Sequence, residues 1–134
     1  MNNLSINDRQ VGDVTILDID GNLRLGEGTA VLHKAIRRML EAGQNQILLN
    51  LAHVTYIDSS GLGELVAAHV ALSKSGGRIK LLHLTRRVNE LMTITKLLTV
   101  FEVYENESTA LDSFKTLAVD LEEHAPVLAQ GGAR

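Results

Sequence analysis

Residues 47–66 read ILLNLAHVTYIDSSGLGELV. Ile47 to Leu51 are almost wholly apolar and rich in strand formers, the pattern of a short central strand covered on both faces. From about Ser59 to Ser75 the period lengthens. Leu62, Leu65, Val66, His69 and Leu72 fall on one helical stripe, and Gly76-Gly77 ends it. A buried strand that runs into an amphipathic helix is half of a parallel-sheet crossover unit, so the rest of the chain should alternate strand and helix.

Upstream, VTILDI (Val14–Ile19) mixes β-branched residues with alternating polarity, and Asp20-Gly21 is expected to close it as a turn. LSIN (Leu4–Asn7) reads as a shorter strand paired with it. Thr29 to Ala42 carry Leu32, Ala35, Ile36, Met39 and Leu40 on one stripe, a helix stopped by Gly43. Downstream, RIKLLHL (Arg78–Leu84) is the next strand, and a third helix from about Arg86 carries Val88, Leu91, Met92 and Thr95 at helical spacing. VFEVY (Val100–Tyr104) returns to strand character. A fourth helix is expected from near Ser108, taken as its N-cap, with Ala110, Phe114, Leu117, Ala118 and Leu121 inward. The expected fold is α/β: a small mixed, mostly parallel β-sheet of four to five strands flanked by about four helices, with an antiparallel edge made by the first strands. One domain over residues 1–122 accounts for this pattern, and residues 123–134, with the sole proline and no periodicity, are expected to be a disordered tail.

The composition bounds the function. A chain of 134 residues with 45% hydrophobic content suits one domain with a real core. No apolar run approaches the roughly 18 residues of a membrane helix, and the N-terminus lacks the features of a secretory signal, so a cytosolic, non-membrane protein is expected. The absence of cysteine excludes disulfides, thiol catalysis and thiolate metal sites. A net charge of −3 and only four aromatic residues, Tyr56, Phe101, Tyr104 and Phe114, argue against nucleic acid as a partner.

No cofactor is expected. His33, His53, His69, His83 and His124 do not recur at a metal-binding helical spacing with a carboxylate between them, and His69 reads as a hydrogen-bonded core imidazole. Neither GLGELV nor GNLRLGEG completes a dinucleotide or phosphate loop. IDSSG lacks the glycine-flanked serine of a hydrolase turn.

DSSGLG, Asp58 to Gly63, has a physical meaning where it stands. Asp58, Ser59 and Ser60 sit where the first helical amides lack partners, and one of their oxygens can cap the helix for about 0.5–2 kcal/mol. A second hydroxyl is surplus to one cap. Gly61 and Gly63 cost helix stability and leave the first turn open to close approach by another surface. An exposed serine here is accessible to a kinase, and a phosphate of charge about −1.5 to −2 would be tolerated by the helix N-terminus while changing the sign of the surface.

ILLNLAHVTYIDSSGLGELV, together with VTILDIDGNL, GGRIKLLHL and ALDSF, resembles the STAS domain family, in particular the stand-alone bacterial anti-sigma-factor antagonists, from about Val11 to Leu121. The resemblance implies a non-enzymatic switch. Its unphosphorylated form binds an anti-sigma factor that is itself a serine kinase, phosphorylation of the serine that corresponds to Ser59 blocks binding, and a serine phosphatase restores it. It leaves Ser60 as a cap or backbone partner. It also implies a docking surface that joins Asp58, Ser59, Ser60, Gly61, Leu62 and Gly63 to the loop Asp20, Gly21, Asn22 and Leu23. Family members often carry an acidic residue after that leucine and a proline after the LLHL-type strand, where this chain has Arg24 and Thr85. The alternative within the family is a scaffold or regulatory subunit with constitutive binding, which a weakly charged helix surface around Ala67, Val70 and Ala71 would suit.

Overall fold

The alternation of the first strands closes into a hairpin. β1 (Leu4–Val11) and β2 (Val14–Leu23) pair antiparallel with Val11 opposite Val14, and Gly12 supplies φ +60° in the two-residue turn. In this computed structural model, which describes residues 4–115, β1 runs well beyond Asn7. β3 (Gln46–Ile57), β4 (Arg78–Leu82) and β5 (Val103–Tyr104) complete a sheet of order β1-β2-β3-β4-β5, parallel everywhere except at the β1–β2 edge. The expected fold class is the one observed.

Burial on both faces explains why the first half of β3, Ile47–Leu51, is nearly all apolar. Ile47, Leu49 and Leu51 join the larger core beneath α1 (Glu27–Glu41), α2 (Ser59–Lys74) and α3 (Arg86–Ile94), while Leu48 faces the other way. There it packs with Val14, Ile16 and Leu82 beneath Ala110 and Phe114 of α4, described from 107 to 115. Arg9 ties the hairpin to α4 by bonding the carboxylates of both Asp18 and Glu107. The α1 stripe buries Leu32, Ala35, Ile36 and Met39 as its spacing predicts, and Gly43 ends the helix at φ +79°.

Several boundaries differ from expectation. Asp20-Gly21 is not a turn: β2 continues to Leu23, and β3 continues past Leu51 to Ile57 beside it. The pairing steps from Asp18↔Asn50 to Asp20↔His53 and from Gly21↔Val54 to Asn22↔Tyr56, so β3 carries the extra residue at two bulges. The Asn50 side chain accepts the amide of Ala52 at 3.1 Å and so repairs the ladder at the first bulge. Gly21, at φ +125°, takes the bend that keeps β2 in register. β5 is only two residues long because Leu97–Thr99 form a 3₁₀ turn after Lys96 at φ +67°. α4 starts one residue before Ser108, and its cap is Asn106, whose Oδ1 accepts the Thr109 amide at 2.9 Å. The expected tail 123–134, and Leu117, Ala118 and Leu121, lie outside the described residues.

Candidate functional site

β2 and β3 deliver their carboxyl ends to the amino end of α2, the position where open α/β sheets carry their sites. Asp58 organises the junction. Its Oδ1 accepts the Gly61 amide at 2.9 Å as the helix cap, and its Oδ2 accepts the Leu25 amide at 3.1 Å. Its own amide donates to the carbonyl of Leu23 at 3.3 Å. One aspartate therefore caps α2 and fastens the end of β2 to it. The Gly61 amide, aided by that of Leu25 and opposed by partial desolvation, holds the Asp58 carboxyl below the usual carboxylate range, so it is ionised at neutral pH.

With Asp58 as the cap, neither serine is needed as one. Ser59 is exposed and Ser60 half-buried, and neither hydroxyl makes a hydrogen bond among the described residues. The expectation that Ser60 serves as cap or backbone partner is thus corrected, because a carboxylate has already satisfied the amide within reach.

The two glycines have different causes. A side chain at Gly61 would collide with the carbonyl oxygen of Leu23 and with Ile57 Cγ1, so this glycine serves the close approach of the chain's own β2. Around Gly63 the space is open and the position is exposed. Only Gly63 leaves room for another surface.

The loop expected to share the docking face does adjoin it, as strand. Asp20 is exposed and Gly21 and Asn22 are half-buried, with Asn22 Oδ1 accepting the Thr55 hydroxyl at 3.0 Å. Leu23 (0% exposed), Gly61 and Leu62 (6%) belong to the interior and support the face from beneath. The fold brings all ten expected residues to one end of the sheet and presents the side chains of only some.

Residues not singled out as site candidates from the sequence complete the surface. Leu25 is 76% exposed, and Tyr56 lies at the surface with Arg24 and Arg87 over its ring, 5.7 and 5.2 Å from the centroid. Thr85 positions the second arginine. Its hydroxyl donates to the carbonyl of Val54 at 3.0 Å and caps α3 through the Val88 amide at 3.4 Å. A threonine three residues ahead of Val88 is a legible N-cap signal, but its bond to β3 is not.

Other chemistry is sparse. Among the described residues no group of three or more His, Asp or Glu side chains could hold a metal ion. His69 is half-buried with its ring edge-on to Phe101 at 5.5 Å, an aromatic packing role and not the hydrogen bond expected of it. No helix among the described residues is long and apolar enough to cross a membrane.

Residues 5–110 match the STAS domain. An anti-sigma factor antagonist homologue of Thermotoga neapolitana is 32% identical over 102 residues, which cover 76% of this chain and 90% of the relative. The anti-sigma-B factor antagonist of Staphylococcus epidermidis is also 32% identical, over 81 residues that cover 60% of this chain and 73% of that protein. The crystal structure of an anti-sigma factor antagonist from Thermotoga maritima superposes with a TM-score of 0.72 at 28% identity, covering 81% of this chain and 92% of the other. With the family match spanning nearly all of the sheet and the junction at Asp58, this chain belongs to the STAS domain family.

Proposed function

We propose that the protein is an anti-sigma-factor antagonist that works as a phosphorylation switch at Ser59. The unphosphorylated form binds an anti-sigma serine kinase and so releases the sigma factor; phosphorylation ends binding, and a serine phosphatase resets it. The observation that carries this reading is the division of labour at the junction. Asp58 performs the capping, and Ser59 is left exposed at the first helical position with an uncommitted hydroxyl. Half-buried Ser60 is the less accessible of the two. The names of the relatives from Thermotoga and Staphylococcus support the anti-sigma-factor antagonist part of this reading.

The physics of the switch requires no catalytic group in this chain. A phosphate on Ser59 lies beside an ionised Asp58 whose oxygens are already engaged with amides, so the new charge faces outward. A hundredfold loss of affinity needs about 2.7 kcal/mol, which an unpaired phosphate desolvated in an interface supplies.

The test is intact-mass analysis after incubation with ATP and the serine kinase encoded nearest to this protein. One added phosphate on wild type, none on Ser59→Ala and one on Ser60→Ala is the expected result. Phosphate retained on Ser59→Ala, or none on wild type, sinks the proposal.

A further inference from the structure

Five of the seven arginines among the described residues are engaged. Arg9 holds Asp18 and Glu107, Arg37 and Arg38 reach Glu41 and Asp8, Arg86 pairs with Glu90, and Arg78 donates to Gln46 and to the carbonyl of Phe114. Arg24 and Arg87 are the exceptions. Among the described residues neither side chain has an ion pair or a hydrogen bond, and both are exposed. These two free cations sit over the same ring, that of Tyr56.

Their meeting is built by three separate pieces of chain. Arg24 follows the bulged end of β2, Tyr56 belongs to the end of β3 just before Asp58, and Arg87 is in the first turn of α3, which Thr85 fastens to the carbonyl of Val54. Stacking on one aromatic ring restrains both side chains, so less rotamer freedom is lost when a partner arrives. Next to them, Leu25 is 76% exposed, and its amide is held by the same Asp58 that precedes Ser59. Two cations that share a ring repel each other, and neither forms an ion pair among the described residues, a cost that a partner's carboxylates would remove.

We infer that Arg24, Arg87 and Tyr56 form a reader for an acidic surface, and that the partner contacts this face with carboxylates beside an apolar contact for Leu25. The inference rests on the switch reading above and adds to it the charge of the partner. It also gives phosphorylation a second consequence. A phosphate of charge about −1.5 to −2 on Ser59 adds negative charge to the end of the sheet that carries the two arginines, which weakens their attraction for an acidic partner, so modification slows encounter as well as blocking the docked state.

Association kinetics with the nearest-encoded serine kinase test this. Wild type should associate faster at about 0.05 M salt than at about 0.5 M, where the Debye length is only a few ångströms. Arg24→Glu with Arg87→Glu should slow association at low salt by roughly tenfold or more, with the difference shrinking at high salt. The neutral pair Arg24→Gln with Arg87→Gln should fall between, and circular dichroism should match wild type, because neither side chain bonds to the described chain. Reversal of Arg37, on the solvent side of α1, should leave association unchanged. Wild-type association that ignores salt, or a double reversal that binds as fast as wild type at low salt, overturns the inference while leaving Ser59 phosphorylation intact. A wild type that neither binds nor accepts phosphate overturns both readings.

Discussion

Substituting alanine at Gly61 and at Gly63 should move stability in opposite directions, although both glycines lie in the first turns of the same helix. Helix propensity alone favours alanine over glycine by up to about 1 kcal/mol. At Gly63 nothing opposes this, since a methyl group there meets open space, and Gly63→Ala should stabilise by about 0.5–1 kcal/mol. At Gly61 the methyl would run into the Leu23 carbonyl and would stand 2.8 Å from Ile57 Cγ1. The carbonyl is backbone, so no rotamer change relieves it; α2 must move away from β2. Overpacking of this kind costs about 1–3 kcal/mol, and the movement also strains the Asp58 cap, itself worth about 0.5–2 kcal/mol. The net expectation for Gly61→Ala is a loss of about 1–3 kcal/mol after the propensity gain is subtracted. For a domain of this size that lowers Tm by about 4–15 °C, while Gly63→Ala raises it by a few degrees. Thermal and urea unfolding followed by circular dichroism measure both. A Gly61→Ala protein as stable as wild type would refute the assignment of this glycine to internal packing. The stabilised Gly63→Ala protein should nevertheless bind its partner more weakly, because its methyl group enters the open side of the junction.

Asp58→Ala should destabilise by about 0.5–2 kcal/mol at neutral pH through the lost cap. Because the folded-state pKa of Asp58 is depressed, its contribution is complete above the ordinary aspartate value of about 3.9 and is lost as pH falls from there through the lowered value. Urea unfolding of both proteins at about pH 7 and about pH 3 should therefore show the gap narrowing in acid, and a gap that widens would contradict the sign. On the opposite face of the sheet Lys80 is 3% exposed, bonded to Ser113 at 2.8 Å and to Glu102 at 3.0 Å, with its ammonium over Phe114. Lys80→Met keeps the volume and leaves a half-solvated serine and an exposed glutamate, so its stability should stay within about 1 kcal/mol of wild type. Lys80→Ala opens a cavity under α4 and should lose about 2 kcal/mol or more, a contrast that calorimetry resolves.

The repeating features of this chain are legible in the sequence alone. Periods of two and 3.6 place the strands and helices, the nearly all-apolar run Ile47–Leu51 marks the central strand, and the DSSG stretch marks a helix start with a hydroxyl to spare. These are local properties, written within a few residues of one another. What the sequence does not disclose depends on strands meeting in space. The two bulges in β3 turn Asp20-Gly21 from a turn into paired strand, and they bring the Leu23 carbonyl over Gly61. Asp58 is recognisable as one of three possible caps, but its second bond, to Leu25, requires a partner 33 residues away. Arg24, Tyr56 and Arg87 belong to three separate segments and share no period, so only the register of β2 on β3 and the Thr85 bond to Val54 gather them around one ring. Local pattern determines that this junction exists and carries a free serine; long-range packing decides which glycine is structural, which side chains face outward and what charge the face presents.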